Sequence, residues 1–283
     1  MKKVCIIGAG TMGSGIAQLA AMHEYEVNLI DLNQKLLVKS INSIKSNLEN
    51  HFVAKNKLTP SEADSILKRI NTYSDLNDGI KGVQMIIEAV FEDMEVKKNL
   101  FKELDEKCHG NIILASNTSS LSITEIASKA KNQSRIVGIH FFNPAPVMRL
   151  VELVKGMKTS EATMKASKSF SESLGKNVVS VNDSPGFITS RLIYVMCNEA
   201  VNMLMEGVAS AEDIDTACKE AFNFPVGPLK LSDLIGNDIY LHIGKYLRNE
   251  LGDKYKPSAL LKRMVNANML GMKTKKGFYD YNE

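Results

Sequence analysis

Short apolar runs alternate with helix-periodic stretches over the first two thirds of the chain. Residues 4–7 form an apolar run that ends at glycines, residues 14–23 carry apolar side chains at helical spacing, and residues 27–30 form a second run. This order predicts a strand, a helix and a strand. Because strand and helix patterns keep alternating, we expect a doubly wound, mostly parallel sheet covered on both faces. Further runs that predict strands occupy residues 83–90, 112–115, 136–141 and 177–181.

Two segments depart from this alternation. Residues 34–70 carry no strand signal and predict two amphipathic helices around a turn near Lys57 to Pro60, which we interpret as a helical hairpin projecting from the sheet domain. After the Pro185-Gly186 pair, apolar residues recur every three or four positions and predict helices throughout. We therefore predict a sheet domain over residues 1–184 and an all-α domain over residues 185–283. The second domain is small for burying several apolar faces alone, so we expect a homodimer formed through it.

Composition narrows the classes of partner. Among 283 residues, 35 Lys and Arg are balanced by 32 Asp and Glu, so the formal net charge is only +3. The charges are interspersed, and we expect neither a nucleic acid nor a membrane partner. Apolar runs fall short of the ~20 residues of a membrane span, and no signal-peptide core is found, so we expect a cytoplasmic protein. The cysteines are far apart in the sequence, and we expect no metal.

A glycine-rich turn follows the first predicted strand and opens the first helix. It matches the GxGxxG pattern with Gly8, Ala9, Gly10, Thr11, Met12 and Gly13. In this context the glycines allow a tight turn and the approach of a pyrophosphate to the helix N-terminus, as in a Rossmann-type domain. Asp31 ends the second strand, where a carboxylate binds ribose hydroxyls and repels a 2′-phosphate. We therefore predict NAD rather than NADP. A P-loop is excluded because Ser14, not Lys, follows the last glycine.

Small polar side chains follow another predicted strand. Residues 115–121 read Ala-Ser-Asn-Thr-Ser-Ser-Leu directly after an apolar run. Because the carboxyl ends of parallel strands face the ligand in such sheets, we expect Asn117 and Ser119 to lie at the cofactor. Ser120 is expected to cap the next helix instead. No GxSxG pattern surrounds these serines, which argues against a serine hydrolase.

The strand predicted at residues 136–141 carries a histidine into a proline-rich loop. His140 alone is as compatible with a core position as with catalysis. Glu152, however, lies in an apolar run, where a carboxylate is costly to bury unless it is paired. A carboxylate that holds one imidazole nitrogen fixes the tautomer and makes the other nitrogen more basic. His140, held by Glu152, is therefore the candidate general acid and base.

Taken in order, the motifs of the chain resemble one known family. Besides the glycine turn and residues 116–121, the motifs include residues 140–146, residues 185–187 and residues 276–279. From end to end the chain resembles the short-chain L-3-hydroxyacyl-CoA dehydrogenases, and among them the bacterial 3-hydroxybutyryl-CoA dehydrogenases. This resemblance implies an enzyme that oxidises an L-3-hydroxyacyl-CoA, such as 3-hydroxybutyryl-CoA, with NAD. In the reverse direction it would reduce acetoacetyl-CoA.

The resemblance also implies roles for single residues. His140 and Glu152 match the family's catalytic pair, and Ser119 matches the serine that holds the substrate oxygen. The residues that match the NAD site are Glu92, Lys97, Asn143 and Lys273. The lysines that match contacts to coenzyme A are Lys55 and Lys57, in the predicted hairpin.

Two positions depart from the family pattern. Ser190 stands where the family carries an asparagine that contacts the substrate, so it enters the candidate catalytic set in place of an amide. Phe224 stands where a histidine is common. Two alternatives therefore stay open: an inactive or weakly active paralogue that only binds NAD or acyl-CoA, and a dehydrogenase of a non-thioester hydroxy acid. The second alternative would leave the hairpin of residues 34–70 without a role.

Overall fold

The computed structural model describes residues 2–282. The chain divides into two compact units between Asp183 and Ser184. In the described part of the first unit, eight strands form one sheet in the order β3-β2-β1-β4-β5-β6-β7-β8. The strands are β1 (Lys3–Ile7), β2 (Glu26–Ile30), β3 (Ile70–Tyr73), β4 (Met85–Glu88), β5 (Ile113–Ser116), β6 (Ile136–Phe141), β7 (Leu150–Lys155) and β8 (Asn177–Asn182).

Most neighbouring strands in this sheet are parallel. Strand β7 pairs antiparallel with β6, and β8 then runs parallel to β7. Strands β4, β5 and β6 are buried along their whole length, as expected for apolar runs that helices cover on both faces. The predicted doubly wound, mostly parallel sheet is confirmed.

Helices of the first unit cover the sheet. They are α1 (Thr11–Met22), α2 (Gln34–Leu48), α3 (Pro60–Lys68), α4 (Leu76–Gly79), α5 (Met94–Lys107), α6 (Ile123–Ile126) and α7 (Glu161–Ser173). The predicted hairpin consists of α2, a π-helical turn over Glu49–Val53, and α3, whose start is fixed by a capping box between Thr59 and Glu62. Its inner face joins the main core, where Ile44 and Ile66 belong to the same buried cluster as Ile16 of α1. The hairpin therefore packs on α1 and does not project freely.

Two strands are weak in the hydrophobic pattern. Strand β3 is short and lies at the edge of the sheet beside β2, where it exposes Asn71 and Thr72. Because half of the strand is polar, the hydrophobic pattern does not predict it. Strand β7 coincides with the apolar run around Glu152, which the sequence pattern alone does not identify as a strand. Its antiparallel direction follows from the short connection after β6, because a parallel neighbour needs a crossover of a dozen or more residues.

The described part of the second unit is helical. Its helices are α8 (Thr189–Met205), α9 (Ala211–Phe222), α10 (Pro228–Ile235), α11 (Asn237–Leu251) and α12 (Ala259–Asn266). Their apolar faces meet in a separate core that includes Tyr194, Leu229, Tyr240, Leu247 and Leu261. The predicted all-α domain is confirmed. None of the helices within residues 2–282 has the length and apolar character of a membrane span.

A buried carboxylate holds the C-terminal segment against this core. Asp233 is 1% exposed and accepts hydrogen bonds from the backbone N–H groups of Phe278 and Tyr279, both at 3.0 Å. A Cβ atom at Gly277 would lie 1.9 Å from the same carboxylate, so glycine is required there. The Lys-Gly-Phe-Tyr motif is thus explained by packing around one aspartate.

Candidate active site

The glycine turn has the shape of a dinucleotide-binding loop. Gly8 follows β1 with φ +105° and donates a hydrogen bond to the Ile30 carbonyl at 2.8 Å. A Cβ atom at Gly13 would lie 1.8 Å from the Gly8 oxygen, whereas a Cβ atom at Gly10 would meet nothing within 4 Å. The first and third glycines are therefore needed by the turn itself. The second is needed only if something outside the protein approaches the backbone, which fits a pyrophosphate.

Asp31 lies beside this turn at the end of β2. Its Oδ2 accepts a hydrogen bond from the Ala9 N–H at 2.9 Å, and its Oδ1 accepts one from the Asn33 N–H at 2.9 Å. The carboxylate is thus held next to the loop, where the adenosine ribose of a dinucleotide lies in this fold. Turn and carboxylate together fit NAD.

His140 and Glu152 are direct cross-strand partners. The antiparallel register of β6 and β7 places the two residues opposite each other, and Nδ1 of the histidine lies 2.8 Å from Oε2 of the glutamate. His140 is 7% exposed and Glu152 is 1% exposed. Because a carboxylate only accepts, the contact requires a proton on Nδ1 and leaves Nε2 as the basic nitrogen. The ring also packs on Phe142, with the two centroids 4.3 Å apart.

Glu92 organises the loop that carries Ser119. Its Oε1 accepts hydrogen bonds from the Ser119 N–H at 3.1 Å and from the Thr118 hydroxyl. Its Oε2 lies 3.2 Å from the ammonium of Lys97, which is only 1% exposed and also contacts Glu88. Burial lowers the pKa of Lys97, but the two carboxylates outweigh it and the pKa is raised. Lys97 thus stays charged, and it supports Glu92 from inside the sheet domain.

The sequence reasoning missed Glu88. This residue is the last of β4, is fully buried, and touches both Lys97 and Ser116. A signal existed, because a glutamate that ends a run of Met, Ile and Ile is as costly to bury unpaired as Glu152.

The two asparagines differ in their surroundings. Asn117 uses its side-chain oxygen to accept a hydrogen bond from the Phe141 N–H at 2.9 Å, so it ties the end of β5 to the end of β6. Asn143 is exposed, precedes a cis peptide bond to Pro144, and lines a cavity. Both residues lie at the carboxyl ends of strands, and their contacts to NAD stay predictions.

Ser120 does not cap the following helix. The N-cap of α6 is Ser122, whose side chain accepts a hydrogen bond from the Glu125 N–H at 3.2 Å. Ser120 is buried instead, and its own N–H donates to the Thr118 hydroxyl at 3.3 Å. The expectation of a Ser120 cap was wrong because the turn places the helix start two residues later.

A groove of about 390 Å³ runs from the glycine turn to the hairpin. It lies between α1, α2 and the loop of residues 143–146. Its polar lining includes Gln18, Lys39, Ser43 and Asn47. Beyond α2, Lys55 and Lys57 are exposed in the turn that joins the two hairpin helices.

The remaining predicted residues belong to the second unit. Ser190 is 8% exposed and lies in the first turn of α8. Lys273 is exposed in a short 3₁₀ turn, and its Nζ lies 2.6 Å from Oδ2 of Asp238. Phe224 packs on Phe222, with ring centroids 5.6 Å apart.

Most of these groups share one edge of the sheet. The glycine turn, Glu88, Ser116 and His140 all lie at the carboxyl ends of parallel strands, which is where ligands bind in such folds. A dinucleotide turn and a buried histidine–carboxylate pair at the same end of the sheet fit a site for proton transfer beside a bound dinucleotide.

Comparison with known proteins gives the family. Residues 3–184 match the family model described as 3-hydroxyacyl-CoA dehydrogenase, NAD binding domain, and residues 186–281 match the C-terminal domain of the same family. The chain therefore belongs to the 3-hydroxyacyl-CoA dehydrogenase family. The resemblance inferred from the motifs and the prediction of NAD are both confirmed.

Individual relatives match over nearly all of this chain and at least 91% of their own length. A 3-hydroxybutyryl-CoA dehydrogenase of Clostridioides difficile is 46% identical over 282 residues, covering 99% of this chain and 100% of that protein. The mitochondrial hydroxyacyl-coenzyme A dehydrogenase of Homo sapiens is 40% identical, covering 99% of this chain and 91% of that protein. The crystal structure of (S)-3-hydroxybutyryl-CoA dehydrogenase from Ralstonia eutropha matches with a TM-score of 0.95 at 41% identity, covering 100% of both chains.

Alanine substitutions in the glycine turn should separate cofactor binding from folding. Gly13→Ala forces a Cβ atom to within 1.8 Å of the Gly8 oxygen, so we expect a lower Tm. Gly10→Ala creates no such clash, so Tm should hold while NADH affinity falls roughly tenfold or more, since overpacking costs about 1–3 kcal/mol. Thermal melts and NADH fluorescence titrations measure the two effects. Gly110→Ala, also without a clash, is the matched control. If Gly10→Ala binds NADH as tightly as the wild-type protein, the cofactor does not approach the backbone at Gly10.

Proposed function

We propose that this protein catalyses the reversible, NAD-dependent oxidation of a short-chain L-3-hydroxyacyl-CoA, with 3-hydroxybutyryl-CoA and acetoacetyl-CoA as the pair interconverted. The observation that carries the proposal is the 2.8 Å contact between His140 and Glu152 at the sheet edge that also holds the dinucleotide turn. The names of the C. difficile and R. eutropha relatives, at 46% and 41% identity, support the four-carbon substrate.

His140 acts as the general base for oxidation and the general acid for reduction. Its Nε2 takes the proton of the substrate hydroxyl, and the Glu152 carboxylate, at Nδ1, stabilises the imidazolium that forms. When bound, NAD supplies the hydride acceptor. Because Glu152 is almost completely buried, its charge is weakly screened and acts strongly on the ring.

Ser119 donates a hydrogen bond to the reacting oxygen. Charge builds on this oxygen as the proton leaves, so a fixed donor stabilises the transition state. The backbone of Ser119 is held by Glu92 at 3.1 Å, which fits a role of Glu92 and Lys97 at the nicotinamide end of the site. Asn143 and Lys273 complete the proposed NAD contacts, and Ser190 is proposed to meet the substrate through its hydroxyl.

The coenzyme A moiety binds along the hairpin. The groove beside α2 offers amide and hydroxyl groups to a pantetheine chain, and the exposed ammonium groups of Lys55 and Lys57 suit the phosphates of the nucleotide. This arrangement favours a thioester over a small free hydroxy acid, which would leave groove and lysines without a ligand. The proposal retains the expected cytoplasmic location.

Removing either member of the catalytic pair should slow turnover without weakening cofactor binding. His140→Ala should lower kcat by the ~10²–10⁴-fold typical of a positioned general base. Glu152→Gln should also lower kcat and should change its pH dependence, because a neutral amide stabilises the imidazolium less. Steady-state reduction of acetoacetyl-CoA by NADH, followed by absorbance, measures both.

The control for these variants is His109→Ala. His109 is exposed and precedes β5, so it lies at the amino ends of the parallel strands, opposite the site. Its substitution should therefore leave kcat unchanged. Full turnover in His140→Ala would remove the histidine from the mechanism. Superimposable pH profiles for wild type and Glu152→Gln would refute the pairing.

Ser190→Asn separates an enzyme from a protein that only binds its ligands. An asparagine amide reaches further than a serine hydroxyl and adds an N–H donor. We expect kcat/KM for acetoacetyl-CoA to rise, by at most the ~10²–10³-fold that one such donor contributes, and to fall in Ser190→Ala. A lower value in Ser190→Asn would show that the site is adapted to serine. NADH binding without turnover in all three proteins would favour the non-catalytic alternative.

The second unit is proposed to form a homodimer through α8. Leu192 and Val195 lie about one turn apart on this helix and are 67% and 48% exposed. An apolar stripe of this kind is costly to leave in water, and a second copy of the helix would cover it. We expect a dimer by analytical ultracentrifugation and a monomer for Leu192→Glu, with Lys245→Glu, at an exposed position of α11, as the control. A dimeric Leu192→Glu would place the interface elsewhere.

A further inference from the structure

We propose that Glu88 is a positioning residue for the reaction, acting through a closed ring of hydrogen bonds that sets the backbone of Ser119. The Glu88 ring consists of Glu88, Lys97, Glu92, Thr118 and Ser116. The inference rests on the proposed function, since it concerns the same reacting oxygen.

One half of the ring starts at the Glu88 carboxylate. Its Oε1 lies 2.6 Å from the Lys97 ammonium and accepts the Val90 N–H at 2.8 Å. Its Oε2 accepts the Ser116 hydroxyl at 2.6 Å. All three partners are donors, so the carboxylate is used as an ionised acceptor.

The other half closes through the Ser119 loop. Lys97 reaches Glu92 at 3.2 Å, and Glu92 accepts the Thr118 hydroxyl and the Ser119 N–H. The Thr118 N–H in turn donates to the Ser116 hydroxyl oxygen at 3.3 Å. The path therefore returns to Glu88, and Ser119 is attached to the ring at Glu92.

The strand register makes this ring possible. Glu88 and Ser116 are paired residues at the ends of the parallel strands β4 and β5, and the Asn117 N–H donates to the Glu88 carbonyl at 2.8 Å. The loop that carries Ser119 thus leaves the sheet at the residue that Glu88 holds. A change in the position of the carboxylate is passed directly to the loop.

The electrostatics argue against stability as the purpose of the ring. Two carboxylates share one ammonium, and Glu88 and Lys97 are 0% and 1% exposed. Burial raises the pKa of Glu88 even though Lys97 and Ser116 oppose the shift. Ion pairs this deep recover little more than their desolvation cost, and apolar residues would fill the space as stably. Their benefit is geometry, since a displacement of about 1 Å at a reacting group costs ~10²-fold in rate.

The test compares Glu88→Gln, Ser116→Ala and the double variant. Each single variant opens the ring, so each should lower kcat, Glu88→Gln by about 10²-fold, with KM for NADH little changed. Either substitution alone already breaks the ring, so the two effects should not add. The kcat of the double variant should therefore be no lower than that of the slower single variant. Hydrogen exchange of residues 117–121, measured by mass spectrometry, should be faster in all three.

The matched control is Asp105→Asn, which breaks the buried Asp105–Arg135 pair, 2.8 Å apart, before β5 and away from the site. It should lower Tm and leave kcat unchanged. Unchanged kcat in Glu88→Gln, or in Ser116→Ala if the former does not fold, would overturn the proposal. The proposal would also be overturned if the kcat losses of the two single variants multiplied in the double variant. Wild-type protein that does not reduce acetoacetyl-CoA would overturn the proposed function, while the exchange rates would still report on the ring.

Discussion

The antiparallel pairing of β7 with β6 is the constraint on which the site depends. Strand β7 runs opposite to the parallel strands that end with β6, and this register sets His140 opposite Glu152. A slip of one residue would turn Glu152 to the other face of the sheet and bury its charge without a partner. The residues on either side of Glu152 are buried on both faces of the sheet, so a slip would also force each of them into space packed for a different side chain. Core packing thus enforces the geometry of the His140–Glu152 pair.

Buried or partly buried carboxylates also fix the loops at the other strand ends. Three carboxylates at this edge accept hydrogen bonds from backbone N–H groups of the loops beside them: Asp31 from Ala9, Glu88 from Val90 and Glu92 from Ser119. A rigid sheet fixes where the strands end, and the carboxylates fix how the loops leave. The loops that carry the candidate site residues are therefore held by carboxylates at the strand ends. Glu152 stands in this relation to His140, as we propose Glu88 does to Ser119.

Sequence reasoning succeeded where a pattern is local. The glycine turn, the buried strands and the helical second unit follow from spacing over a few residues, and the cost of burying a carboxylate pointed to Glu152. Sequence reasoning missed β3, because this short edge strand is half polar. It also chose Ser120 as the helix cap instead of Ser122, because neighbouring serines offer equivalent caps. Glu88 and Ser116 are 28 residues apart in sequence. Their contact depends on the register of two strands, which no local pattern specifies.

The central claim is that Glu152 holds His140 in one tautomer, with the proton on Nδ1 and the basic lone pair on Nε2. Nitrogen NMR of protein labelled at histidine tests this most directly, at a pH where the ring is neutral and with His140→Ala to assign the signals. The account predicts a protonated Nδ1 and an unprotonated Nε2 in the wild-type protein, and loss of that preference in Glu152→Gln. A wild-type ring with its proton on Nε2, or the same tautomer population in both proteins, would contradict it.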